Sequence, residues 1–256
     1  MSEYKSELAE LVTSTIKQQV VVANTITEYR EPLVAFAQAD NPRFAELRQV
    51  AEPTHMLPED LIPGARSVIS FFVPFDGQVV QANAVSRTRV AREWAVAYVE
   101  TNVLIGKITQ RLIDQLEKRG IRAAAEPATG NFDPESLISR WSHKSVAVVA
   151  GLGSFGLHQM VITDAGCAGR FGSLVCDGEL PSKRYQEKER CLYFYDASCK
   201  KCVEQCPIRA LDVESGIDKK QCWRRCLGIA KQYEALGVAE VCGKCVIGPC
   251  ALESAT

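Results

Sequence analysis

Cys199-Lys200-Lys201-Cys202-Val203-Glu204-Gln205-Cys206-Pro207 is the stretch on which the reading of this 256-residue chain turns. Its C-x2-C-x3-C-P spacing is answered downstream by Cys242-x2-Cys245-x4-Cys250. Of the eleven cysteines, nine lie between Cys191 and Cys250, and only Cys167 and Cys176 lie upstream. Two close-spaced triplets, each with room for a remote fourth thiolate, predict two iron–sulfur clusters and a part in electron transfer.

The chemistry accounts for the spacing. A [4Fe–4S] cubane takes four thiolates at tetrahedral corners, and in two-cluster ferredoxins the cysteine before proline ligates the other cluster. Cys206-Pro207 has that form, and Pro207 suits the first turn of a short helix running to Leu211, where its missing N–H is not needed. Asp196 stands where the usual bacterial run has another cysteine, so Cys191 is the nearest replacement. One cluster is then assigned to Cys191, Cys199, Cys202 and Cys250, the other to Cys206, Cys222, Cys242 and Cys245. Cys226 is the alternative to Cys191 or Cys222; Cys167, Cys176 and Cys226 are otherwise read as small apolar residues. Zinc is the rival for CxxC pairs, but it has no special use for a Cys-Pro ending or for eight interleaved thiolates. A disulfide framework is not expected in a chain of this length with an odd cysteine count and no secretory signal.

Hydrophobic residues at 46% and charged residues at 24% are an ordinary globular balance, sufficient for a packed core. The net charge of −1 exerts no general pull on nucleic acid or anionic membrane. No apolar run reaches a membrane span, so the expected location is the cytoplasm, with no membrane partner. Between Lys183 and Lys231, however, 12 Lys and Arg stand against 7 Asp and Glu. Such an excess is ordinarily a solvated surface; its alternative is a docking face for an acidic electron donor or an RNA.

The apolar pattern predicts helix over residues 2–37 with a break at Pro32, a strand at Ser67 to Val73 bounded by Pro63-Gly64 and Pro74, and a helix over residues 88–119 ended by Gly120. Further strands are expected at Ile121 to Ala125, Met160 to Thr163 and Arg170 to Cys176. Glu135 to Ala150 is expected to start as helix and end as strand over Val146 to Ala150. Residues 181–190 read as a linker, dividing the chain into an α+β domain over 1–185 and a cysteine-rich domain over 186–256.

Gly151-Leu152-Gly153-Ser154-Phe155-Gly156 matches G-x-G-x-x-G, with Asp177 near the position of a ribose-binding acid. A dinucleotide site needs a crossover helix after the loop, and His158 to Arg170 leaves no room for one, so the match is read as a decoy. Taken differently, Pro63-Gly64-Ala65-Arg66-Ser67-Val68-Ile69 resembles the PGARSVI stretch of epoxyqueuosine reductases. The glycine segment, continued by Ile162-Thr163 and Gly172-Ser173-Leu174, resembles another segment of that family. Corrinoid-dependent reductive dehalogenases carry a related pattern.

The resemblance covers about Leu57 to Cys250. It implies an α+β fold, with a nitroreductase-like, cobalamin-binding-type domain followed by a two-cluster [4Fe–4S] ferredoxin-like module. The clusters would pass electrons to a cofactor, cobalamin first and flavin as the weaker candidate, for reduction of a small-molecule substrate. The electrons would come from a low-potential ferredoxin- or flavodoxin-type donor. Gly151, Gly153, Ser154, Phe155, Gly156, His158 and Arg170 are the expected cofactor-binding residues, and Asp133 the expected proton donor. The glycines have an equal reading as a tight turn, Asp133 as an acidic helix start, and the histidines as satisfied core or loop residues. Full-length epoxyqueuosine reductases continue into a helical-repeat domain that helps hold tRNA, whereas this sequence stops soon after the second triplet, which puts tRNA as a partner in doubt. An accessory electron carrier without substrate turnover is the competing function.

Overall fold

Leu8, Val12, Ile16 and Val20 recur at four-residue spacing, which places them on one helix face. In the computed structural model, which describes residues 2–182, 188–254 and 256, they are the buried stripe of α1 (Ser2–Val21). The expected helix ends there. Past Pro32 the chain is extended, as β1 (Leu33–Gln38), followed by α2 (Pro42–Val50) and α3 (Pro58–Leu61). The apolar run bounded by proline becomes β2 (Ser67–Pro74), every residue of which is buried.

β2 is buried on both faces because helices cover both. Ile69, Phe71 and Val73 pack with α1 and with α5 (Arg92–Glu117), which contributes Leu104, Ile105, Ile108, Leu112 and Leu116. Val68 faces the other way, against Phe44, Trp141, Val146 and Val149. A buried side chain of this size contributes about 1.5–3 kcal/mol over its exposed state, so a strand contacted on both sides is the natural centre of the molecule. Between the two, α4 (Gly77–Ala84) is capped by the Asp76 carboxylate, which accepts from the Gln78 N–H at 2.8 Å. After α5 come β3 (Ala123–Ala124), β4 (Phe132–Asp133), β5 (Ile138–Ser139), α6 (His143–Val149), β6 (Gly153–Phe155), β7 (Val161–Thr163) and β8 (Gly169–Cys176). The main sheet runs β1-β2-β8-β3, antiparallel throughout. β4–β5 and β6–β7 are separate two-stranded ribbons.

The cysteine-rich segment follows as α7 (Leu192–Asp196), α8 (Lys201–Gln205), β9 (Leu211–Asp212), β10 (Gly216–Ile217) and α9 (Lys219–Gln232). It packs on the first part of the chain through one apolar cluster that joins Trp94, Leu157, Ile162 and Cys167 to Cys191, Ile229, Val246 and Ala251. Residues 183–187 of the expected linker lie outside the described residues.

Three expectations need correction. Val146 to Val149 is helix rather than strand: Ser142 caps α6, and Val146 and Val149 pack with Phe44 and Trp141, a tertiary contact that outweighs their β-branched preference. Leu33 to Ala37 is strand rather than helix, paired in register with β2. The helix expected from Pro207 is absent; α8 ends before it, Arg209 takes a left-handed conformation, and Leu211 enters a ribbon.

Candidate metal centre

Nine cysteines are gathered by loops, two short helices and one face of α9. Cys191 precedes α7, Cys199 and Cys202 bracket the start of α8, and Cys206 follows its end. Cys202 lies among Cys191, Cys199 and Cys250: burial pushes its thiol up to about 12, and the charges of those three sulfurs push the same way. A small open hollow is lined by the same four cysteines together with Cys245, His158 and Ile162. Cys245 has further thiol neighbours. Burial raises its thiol, and the charges of Cys222 and Cys242, then Cys202 and Cys206, add to that.

Cys250 lies beside Cys202 with Cys191 and Cys199, and Cys206 packs with Cys202, Cys222 and Cys245, so the two triplets share one continuous gathering of thiols. Neighbouring sulfurs hold the Cys202 and Cys245 thiols up, and bound metal reverses that logic by deprotonating thiols outright. Thiols gathered in this way fit iron–sulfur ligation.

Groups outside both quartets touch them. Cys226 stands one helical turn from Cys222 on α9, and the contact between the two thiols lowers Cys222 while, with burial, raising Cys226. Arg225 Nε donates to Cys242 Sγ at 2.9 Å while another guanidinium nitrogen donates to the Thr88 carbonyl. At the first quartet, Cys250 Sγ lies 3.8 Å from Cys167 Sγ and 3.4 Å from His158 Nε2. Lys244 is buried at 1% exposure with its ammonium on the Asn83 backbone and side-chain oxygens; burial lowers it to about 8 against the pull of Cys242. Cys167 is expected as a small apolar residue, and Cys226 as either such a residue or an alternative ligand to Cys191 or Cys222. The four-residue step from Cys222 was a usable signal for Cys226; Cys167, 83 positions from Cys250, carried none.

The expected cofactor residues do not form one cradle. Gly151 ends α6 at φ +84°, the ordinary left-handed terminator. A Cβ on Gly153 would stand 2.2 Å from the Ile162 carbonyl oxygen, and one on Gly156 2.8 Å from Ile162 Cδ1, so these glycines let β6 close on β7. A helix precedes the segment and a strand follows it, which rules out a dinucleotide fingerprint. Ser154 Oγ accepts from the Arg190 N–H at 3.2 Å, and Phe155 packs beside Leu152 and Phe171. His158 faces Cys250 instead of a separate pocket.

Arg170 differs. Its guanidinium lies 4.2 Å over the Tyr98 ring, one nitrogen donates to the Ala128 carbonyl at 3.3 Å, and its buried Nε has no partner among the described residues. Lys144 lies near it, donating to the Gln159 carbonyl at 3.0 Å and close enough to feel the charges of Arg170, Cys245 and Cys222. Burial lowers both groups. Two half-buried cations with no carboxylate partner among the described residues suit an anionic or carbonyl-rich ligand. His143, by contrast, is satisfied by Ser173 Oγ at 2.7 Å and the Pro127 carbonyl at 3.1 Å, and burial takes it down to about 4.

Asp133 is exposed on the β4–β5 ribbon. Its carboxylate accepts from the Glu135 and Ser136 N–H groups and the Ser136 hydroxyl, which hold the carboxyl below its usual range. That turn favours a carboxylate over a protonated acid. The same ribbon nevertheless reaches the cysteine-rich segment, since Phe132 packs edge-on against Trp223 of α9 at 5.1 Å between centroids.

No family model matches the sequence and no curated protein matches it. Solved structures do. An epoxyqueuosine reductase bound to a tRNA-Tyr epoxyqueuosine-modified stem loop superposes with a TM-score of 0.56 at 18% identity, covering 86% of this chain and 56% of that one. The Streptococcus thermophilus epoxyqueuosine reductase gives 0.58 at 16%, covering 94% and 66%. The catabolic reductive dehalogenase NpRdhA gives 0.56 at 13%, covering 87% and 30%. The chain thus shares the mixed α/β fold of these two groups, as the sequence resemblance implied, and spans between 30% and 66% of their length.

Proposed function

We propose that the chain is an iron–sulfur oxidoreductase, in which two [4Fe–4S] clusters pass single electrons to a cofactor held by residues of the first 185. The observation that supports the proposal is the gathering of the cysteines, with Cys250 beside Cys202 and Cys206 beside Cys222 and Cys245. Cys191, Cys199, Cys202 and Cys250 would hold one cluster, and Cys206, Cys222, Cys242 and Cys245 the other. Interleaving of this kind, with a cysteine before proline, is the habit of two-cluster ferredoxins. Cys226 then remains a protonated hydrogen-bond donor to Cys222.

The residues present fit the second cofactor less fully. The glycine segment is spent on packing, and Arg170 with Lys144 would supply the polar contacts to the cofactor or substrate. Cobalamin is the cofactor the resemblance favours, and when bound it supplies a low-potential cobalt centre for reductive chemistry. Tyr98 holds the Arg170 guanidinium in place by its ring face, and the buried setting strengthens what Arg170 and Lys144 donate. Asp133 would deliver a proton only after its turn with Ser136 opens, because the turn holds the carboxyl ionised. One matched structure holds a tRNA stem loop, so tRNA returns to the set of substrates to be tested beside small molecules.

The test is an anaerobic titration of the reconstituted protein with cobalamin, followed by optical and EPR spectra. Stoichiometric uptake with a perturbed cobalt(II) signal, abolished in Arg170→Ala/Lys144→Ala, is the expected result. Two cluster signals with no corrinoid uptake would replace this reading by an electron carrier, or by flavin in the same position. Among the described residues no helix is long and apolar enough to cross a membrane.

A further inference from the structure

Two stretches of this nearly neutral chain contain no Asp or Glu at all. Residues 77–92 carry Arg87, Arg89 and Arg92, and α9 carries Lys219, Lys220, Arg224, Arg225 and Lys231. The fold sets them side by side. Arg225 donates to the Thr88 carbonyl, between Arg87 and Arg89, and the Tyr233 hydroxyl donates to the Val90 carbonyl at 2.7 Å. Lys220, Arg224, Leu227 and Lys231 follow one another at helical spacing and are all exposed, which makes them the outward stripe of α9. Arg87, Arg89 and Arg92 are exposed as well. Among the described residues none of these cations is paired with a carboxylate. In sequence the nearest acids are Asp76, Glu93, Asp218 and Glu234, and Arg92 lines one hollow with Glu28, Asp76 and Glu93.

We propose that this face docks an acidic one-electron donor protein of the ferredoxin or flavodoxin kind, and that electrons enter the chain there through the second thiol quartet. The proposal rests on the two-cluster reading above. Three observations point to a protein donor. The opposite side of the same helix carries Cys222 and Cys226, so a partner on the outward stripe stands one helix thickness from the cluster. Arg225 joins the two sides, with one guanidinium nitrogen on Cys242 Sγ and another on the loop that displays Arg87 and Arg89. Within the basic field, Val85 is 85% exposed and Leu227 43%, an apolar centre of the sort protein interfaces use. RNA would favour an exposed aromatic for stacking, and the sole aromatic of these two stretches, Trp223, is packed on Phe132. The step itself is simple: one electron leaves the donor, one enters the cluster, and no bond or proton moves.

Complementary charge acts mainly on encounter rate and is screened by salt. The experiment is stopped-flow reduction of the reconstituted full chain by a pre-reduced acidic plant-type ferredoxin, at 20 and 300 mM salt, for the native protein and for Lys220→Glu/Arg224→Glu. Photoreduction by deazaflavin, which needs no docking, reports the clusters independently. We expect the ferredoxin rate to fall at least tenfold with salt and at least tenfold with charge reversal, while photoreduction and iron content stay constant. A ferredoxin rate indifferent to both salt and charge reversal, with clusters intact, would overturn the docking proposal alone. So would charge reversal that abolishes binding of a tRNA stem loop and leaves the ferredoxin rate unchanged, which would give the face to RNA. Failure of the native chain to take up cluster iron would overturn the two-cluster reading and the docking face with it. If the double variant does not fold, Arg87→Glu on the loop and the salt dependence of the native protein decide the question.

Discussion

Arg225→Gln removes a full positive charge from the sulfur of Cys242 without touching any thiol. Arg225 Nε lies 2.9 Å from that sulfur, and at an effective dielectric of about 20 two unit charges 4 Å apart interact by about 4 kcal/mol. Reduction adds one electron to a cluster that spreads the charge over its irons and sulfides, and Arg225 is partly exposed. About a third of the interaction, ~1.4 kcal/mol, is then the difference between oxidised and reduced cluster. For a one-electron couple that is a tenfold change in equilibrium, about 59 mV. The assay is an EPR-monitored redox titration. The midpoint of one cluster should fall by about 60 mV, the other should barely move, and Arg225→Lys, which keeps the charge, should restore most of the difference. The moved signal must also be the one altered by Cys242→Ser. The reasoning fails if neither midpoint moves, or if the signal that moves is the one altered by Cys250→Ser.

Other perturbations separate structural from redox roles. Cys226→Ala should keep full iron content, since Cys226 serves as a donor to Cys222; loss of half the iron by chemical assay would make it a ligand. Gly153→Ala should destabilise by about 1–3 kcal/mol or more, because the new methyl meets a backbone oxygen rather than a side chain that can turn away; an unchanged denaturation midpoint would contradict the hairpin role. His143 is held neutral by burial, with its value near 4 in the fold against 6.5 when free. The unfolded chain therefore binds the extra proton first, and stability present above pH 6.5 is lost as pH falls toward 4. Between pH 7 and 5 the loss should be about 2 kcal/mol, and His143→Gln should flatten it; equal slopes for both proteins in denaturant titrations would exclude the effect.

What the sequence disclosed followed from how local each signal was. The strand Ser67 to Val73 and the helix centred on α5 were legible because long apolar patterns with proline or glycine boundaries leave little choice. Val146 to Ala150 misled because a short valine-rich run suits either state, and Trp141 and Phe44 decided it from elsewhere in the chain. The extended Leu33 to Gln38 was hidden for the same reason: its partner, β2, lies more than thirty residues away. The cysteine spacings identified the gathering of thiols, and the missing crossover helix correctly disqualified the glycine motif as a nucleotide loop. Arg225, Lys244, Lys144 and Cys167 were not legible, since each acts on a sulfur or a cation brought to it only by tertiary folding.

The central claim is that eight of the gathered thiols hold two cubane clusters. Iron and acid-labile sulfide analysis with Mössbauer spectroscopy on the anaerobically reconstituted full chain tests it most directly. The account predicts eight irons and eight sulfides per chain, all in [4Fe–4S] environments, following from four thiolates to each cluster. Four irons per chain, or zinc in place of iron at either quartet, would contradict it.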